Sequence, residues 1–132
     1  MTTSIRLFAA ALGVAISTAV GPALAGAADF AFEPVEAGIK NGPTAELAVR
    51  LVDKRTGKPV AGAVIFRTQL DMSPDDMAGM LATHEALPAA EPGVYRFMAS
   101  LTMAGRWALT LQAKVPGEAE TIQATVVFQA KD

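Results

Sequence analysis

The stretch Arg106-Trp107-Ala108-Leu109-Thr110-Leu111-Gln112-Ala113-Lys114-Val115 alternates with a period of two. Trp107, Leu109, Leu111, Ala113 and Val115 fall on one side, and Arg106, Thr110, Gln112 and Lys114 on the other. Successive side chains of a β-strand point to opposite faces, so a period of two with one apolar side reads as a strand with one face buried. A helix would scatter the same residues around its whole circumference.

The pattern continues on both sides. Pro116-Gly117-Glu118 supplies a turn, after which Ile122, Ala124, Val126 and Phe128 again alternate inward. Upstream, Pro92-Gly93 introduces Tyr95, Phe97, Ala99 and Leu101 on one face, with Arg96 and Met98 on the other, and Ala104-Gly105 makes a tight link onward. Val64, Phe66, Thr68 and Leu70 share a face opposite Arg67, and Leu47, Val49 and Leu51 alternate with Glu46 and Arg50. A weaker strand is read near Phe30 to Glu36. Asn41-Gly42-Pro43 and the loop Asp53 to Pro59 separate these runs. Six or seven short strands with regular turns in about 100 residues predict two packed sheets.

The N-terminus reads differently. Arg6 is the only charged side chain before Asp29, and Leu7 to Val20 is almost wholly apolar. Gly21-Pro22 breaks that run, and Ala23-Leu24-Ala25 and Ala25-Gly26-Ala27 offer small-x-small exits. This is the order of a cleavable secretory signal over residues 1–27, leaving one domain over 28–132 in the periplasm or outside the cell. An apolar run of about 14 residues is short for a hydrocarbon core of roughly 30 Å, so an uncleaved anchor is the lesser reading. The mature part carries 10 basic and 13 acidic side chains, a net of −3. They form no basic stripe, which argues against nucleic acid as a partner. The chain has no Cys, so disulfides, thiolate metal sites, c-type haem and cysteine-bound iron–sulfur clusters are excluded.

Residues 71–91 interrupt the strand pattern. Ser73-Pro74-Asp75-Asp76 resembles a helix start, with a capping side chain, Pro at the first position and an acid in the first turn. Met77, Met80, Leu81 and His84 then follow at i, i+3, i+4 and i+7, one face of a short helix that Pro88 would stop. Gly79 weakens that helix by roughly 1 kcal/mol.

Few residues here can carry chemistry. There is one His, no Gly-x-Ser-x-Gly elbow and no glycine-rich phosphate loop, and Asp75 and Asp76 read as dipole partners of a helix start. The expectation is a binding protein with no catalytic residues. Beyond the initiator there are five methionines, Met72, Met77, Met80, Met98 and Met103. A thioether is soft and neutral at any ordinary pH, and soft ligands select Cu(I) over Zn(II), Mg(II) or Ca(II). The imidazole of His84 can bind either copper oxidation state. Packing is the competing reading, since Met fills gaps in cores and Met103 continues the inward parity of Leu101. Geometry raises a difficulty too. If 63–70 and 93–102 formed a simple antiparallel pair, Met72 and Met103 would lie about 30 Å apart.

Three pieces of Asp53 to Val127 resemble the YtkA-like domain, also met in FixH-type proteins. They are Thr56-Gly57-Lys58-Pro59-Val60-Ala61-Gly62-Ala63-Val64, the segment Asp71 to Met80, and Pro92-Gly93-Val94-Tyr95 with Leu101-Thr102-Met103-Ala104-Gly105-Arg106-Trp107. The resemblance implies an immunoglobulin-like sandwich outside the cytoplasmic membrane, with relatives tied to copper handling or oxidase assembly. It places Met72, Met77 and Met80 in the family's Met-rich segment and Met103 at the Met before Gly-x-Trp; His84 has no counterpart. Acids and the helix signal depart from the extended Met and Pro run usual in that segment.

The expected protein is therefore all-β, an immunoglobulin-like two-sheet sandwich of six or seven strands with a short helix inserted near 74–84. Its expected function is a periplasmic Cu(I) carrier or metallochaperone, with Met72, Met77, Met80, His84 and Met103 as metal ligands. Its partners would be copper and an envelope copper protein or oxidase assembly factor. The alternative is a metal-free interaction module of the envelope that docks through the 71–91 insertion.

Overall fold

The computed structural model describes residues 27–132; the signal-peptide reading lies outside them. A short 3-10 turn, Ala27–Asp29, leads into ten strands. These are β1 (Phe30–Pro34), β2 (Gly38–Lys40), β3 (Ala45–Asp53), β4 (Lys58–Pro59), β5 (Val64–Met72), β6 (Met77–Leu81), β7 (His84–Leu87), β8 (Val94–Ala99), β9 (Gly105–Lys114) and β10 (Thr121–Lys131). One sheet runs β1-β3-β8-β7, with the short β4 on the end of β3, and the other runs β2-β10-β9-β5-β6. Every pair is antiparallel except β2 with β10. The order matches the two sheets of an immunoglobulin domain, with the first strand broken so that β2 joins the opposite sheet. The fold class read from the sequence is present, with more strands among the described residues than expected.

The alternation in β9 does what its sequence demands. Trp107, Leu109, Leu111 and Ala113 are each 0% exposed, and they face Leu47, Val49 and Leu51 of β3, also 0% exposed. Full burial of each such aliphatic or aromatic side chain is worth about 1.5–3 kcal/mol. The buried indole keeps its donor satisfied, because Trp107 Nε1 donates to the Met103 carbonyl at 3.1 Å. Tyr95 acts likewise at the other end, donating to Val60 O at 2.8 Å and accepting from Ala63 N at 3.0 Å.

Two expectations are corrected. The first is the helix near 74–84. Only Ser73–Asp75 forms a turn, of 3-10 type, and strands β6 and β7 follow. The N-cap is Met72 rather than Ser73, and no side chain caps the turn. Instead, Asp71 Oδ1 accepts from Ser73 N at 2.9 Å, an Asx-type turn, and Asp76 closes it in the left-handed region at φ 58°. A left-handed residue ends a helix rather than starting one. Asp75, the last residue of that turn, is held by Arg106, whose Nε and backbone N–H donate to it at 2.7 and 2.8 Å.

The second correction is the parity of β5. A bulge sits between Ile65 and Arg67, where β5 pairs with β9. It leaves Phe66 as the extra residue and reverses the facing of everything before it. Thr68 and Leu70 point inward as expected, but Val64 and Phe66 are 62% and 53% exposed and Ile65 packs on the core in their place.

Candidate functional site

The absence of a helix removes the reason for placing Met77, Met80 and His84 on one face. The sandwich nevertheless gathers all five candidate residues at one end. Asp71 pairs with Ala108, so Met72 lies at the start of β9, just beyond the loop that holds Met103. His84 pairs with Ala99, the last residue of β8 before that loop. Met72 and Met77 are direct partners across β5 and β6. The expected separation of about 30 Å between Met72 and Met103 does not arise, because β5 and β8 belong to opposite sheets and finish at the same end.

Their environments differ sharply. Met72 is 0% exposed and belongs to the core. Its methyl group lies against Gly105, where an added Cβ would come within 2.5 Å of Met72 Cε and 2.7 Å of Asp75 Oδ2. Met103 is half-buried against the same core. Met77 and Met80 are 37% and 38% exposed, and their neighbour Leu81 is 62% exposed. Residues paired across an antiparallel ladder project to one face with Cβ atoms about 4.5–5.5 Å apart. Met72 and Met77 are thus neighbours, one buried and the other partly exposed.

His84 bridges the two sheets. Its Nδ1 lies 3.1 Å from the Ala82 carbonyl, which can only accept, so Nδ1 carries the proton of the neutral ring. Nε2 then accepts from the Thr68 hydroxyl at 2.6 Å. A backbone carbonyl on Nδ1 is the usual way to orient an imidazole for coordination through Nε2. Here that lone pair is occupied by Thr68, so a metal on it would have to displace the hydroxyl. The ring also packs edge-on against Phe97, at a centroid distance of 6.4 Å.

Among the described residues, no group of three or more His, Asp or Glu side chains is placed to hold a metal. Two carboxylates near the methionines, Asp71 and Asp75, are already hydrogen-bonded. Hydrogen bonds from Arg106, the backbone one strongest, hold the Asp75 carboxyl below its usual range. Burial works to raise the Asp71 carboxyl, but hydrogen bonds from Ser73 and Gln69 outweigh it and the net direction is down. Sequence reasoning did not find Thr68, Gly105, Asp71 or Arg106 as parts of this end of the fold. Asp71 two residues before Ser73 was the one signal available, since Asp accepts readily from the backbone two residues on.

A YtkA-like family profile matches residues 24–112, about two thirds of the chain. The chain belongs to the YtkA-like family. The match begins before β1 and ends within β9, so it contains both the methionine segment and the loop of Met103. Among solved structures, the ZirS C-terminal domain is similar to this YtkA-like chain at 12% sequence identity and a TM-score of 0.42. That alignment covers all of this chain and 82% of that one. A search of curated proteins found no match.

Proposed function

We propose that this YtkA-like domain is an accessory protein of the cell envelope that binds Cu(I) as cargo through thioethers at the β5–β6 end of the sandwich. The observation that carries the reading is the exposure of Met77 and Met80, two soft donors left near the surface beside Met72 rather than packed away. Burial alone would favour hiding both side chains. Met77 and Met80 would take the ion first, and Met103 and His84 would complete the site from the adjoining loop and strand. Few thioether ligands with partial exposure suit an ion that must be handed on, because soft donors hold Cu(I) while leaving it within reach of a recipient. The signal-like N-terminus supports a location beyond the cytoplasmic membrane.

The test is an anaerobic competition titration of the domain against a chromophoric Cu(I) chelator. The expected result is stoichiometric binding that falls roughly tenfold or more when Met77 and Met80 become Leu. Unchanged binding in that double variant overturns the reading.

A second reading, a metal-free interaction module, is favoured by the exposed apolar side chains Val64, Phe66 and Leu81. It predicts no competition for Cu(I) at all.

A further inference from the structure

The sheet that contains β5 is one strand short along most of that strand. β6 pairs with β5 only at Asp71 and Met72. At the other end, Ala63 N donates to the Tyr95 hydroxyl. Leu70 O accepts from Ala82 N at 2.9 Å where the chain crosses to the opposite sheet. Between these two closures, residues 64–69 meet β9 on one side and no strand on the other among the described residues. β7, the facing edge of the other sheet, is likewise paired only with β8. The gap between the two edges is a cleft of about 260 Å³. Tyr95, Phe97, Thr68 and His84 line it, the last two hydrogen-bonded to each other across the gap, and Phe66 and Arg67 stand on its rim.

We propose that this cleft is a docking groove for an extended segment of a partner protein, which adds to the free edge of β5 as a further strand of its sheet. Unpaired ladder groups on an edge strand recruit another chain by main-chain hydrogen bonds, while alternate side chains enter pockets and supply specificity. The bulge turns Phe66 out of the core and onto the rim, placing an aromatic anchor where an incoming strand would lie. The closures at Ala63 and Leu70 limit the added segment to about six residues, roughly 20 Å.

Charge selects the occupant. Arg96 is committed to Glu46 and Pro88 O. Arg67 makes no ion pair among the described residues, so it is the cation open to a guest. Glu85 on the opposite wall disfavours a uniformly acidic segment. The fitting partner strand alternates apolar with polar residues and carries a single acid opposite Arg67. The groove shares His84 with the proposed copper site, but its filling requires no copper.

The test pans a randomised eight-residue display library against the domain with a copper chelator present. The expected result is enrichment of peptides with that pattern. Their binding should slow amide exchange at alternate residues of 64–69 and should be lost when the peptide is N-methylated at alternate positions. Arg67→Glu should weaken them roughly five- to tenfold, and exchanging the peptide acid for lysine should recover the loss. Retained Trp107 emission reports that the variant is folded. No enrichment, protection elsewhere, or indifference to N-methylation overturns the proposal. So does a dimer by sedimentation in which 64–69 is already protected, because a second copy then covers the edge.

Discussion

Gly105 and Met72 should be energetically coupled, and the size of the coupling follows from their contact. Met72 is fully buried, so Met72→Ala should cost about 2–5 kcal/mol through lost transfer energy and the cavity left behind. Gly105→Ala adds a Cβ at φ 141°, 2.5 Å from Met72 Cε. The backbone conformation contributes about 1–2 kcal/mol of strain for any L side chain. Overpacking against Met72 contributes about 1–3 kcal/mol more. In the double variant the methyl group that obstructs the new Cβ is gone. Only the strain and the approach to Asp75 Oδ2, at 2.7 Å, remain. The second substitution should therefore cost less in the Met72→Ala background, by a coupling energy of about 1–2 kcal/mol. Urea unfolding followed by the emission of Trp107, the only tryptophan, measures each corner of the cycle, and an unchanged m-value confirms that the unfolded state is comparable. Additivity to within about 0.5 kcal/mol would refute the contact and with it the packing assigned to the methionine end.

Other outcomes follow from the same geometry. Met77→Leu and Met80→Leu should each change stability by less than about 0.5 kcal/mol, because both side chains are more than a third exposed, so lost copper binding in them would not be a folding defect. Tyr95→Phe leaves Val60 O and Ala63 N without their partner and should cost about 1–3 kcal/mol by chemical denaturation. The Asp75 carboxyl lies below its ordinary value of 3.8 in the folded protein, chiefly through hydrogen bonds from Arg106. Its contribution is therefore present above that value and lost as pH falls through the lower folded pKa. Asp75→Asn should flatten the acid limb of the stability profile, and an unchanged limb would count against the Arg106 bonds. Thr68→Val removes the donor to His84 Nε2. It should move the His84 Nε2 resonance in NMR spectra while leaving the sandwich intact.

The alternation around Trp107 was enough to establish strands, their facing and much of the core, because a period of two is a local property of the backbone and the hydrophobic effect acts on each residue where it stands. The YtkA-like resemblance was equally local, carried by turn and strand motifs that the family match contains. The helix over 74–84 failed on local grounds that only the surroundings make visible. Its start signals are real, but Arg106 on β9 captures the Asp75 carboxylate, and a left-handed Asp76 turns the chain into β6. The bulge at Phe66 was equally hidden, since one unpaired residue is defined by the partner strand and not by the strand that carries it. The candidate ligands were readable as residue types, while their meeting place was not. Met72 and Met103 share an end because β5 and β8 lie in opposite sheets, and sheet order is set by which faces can be buried together across the whole domain. Local sequence carries each strand's own preference; only the assembled sheets decide which of its edges stays open and which side chains meet.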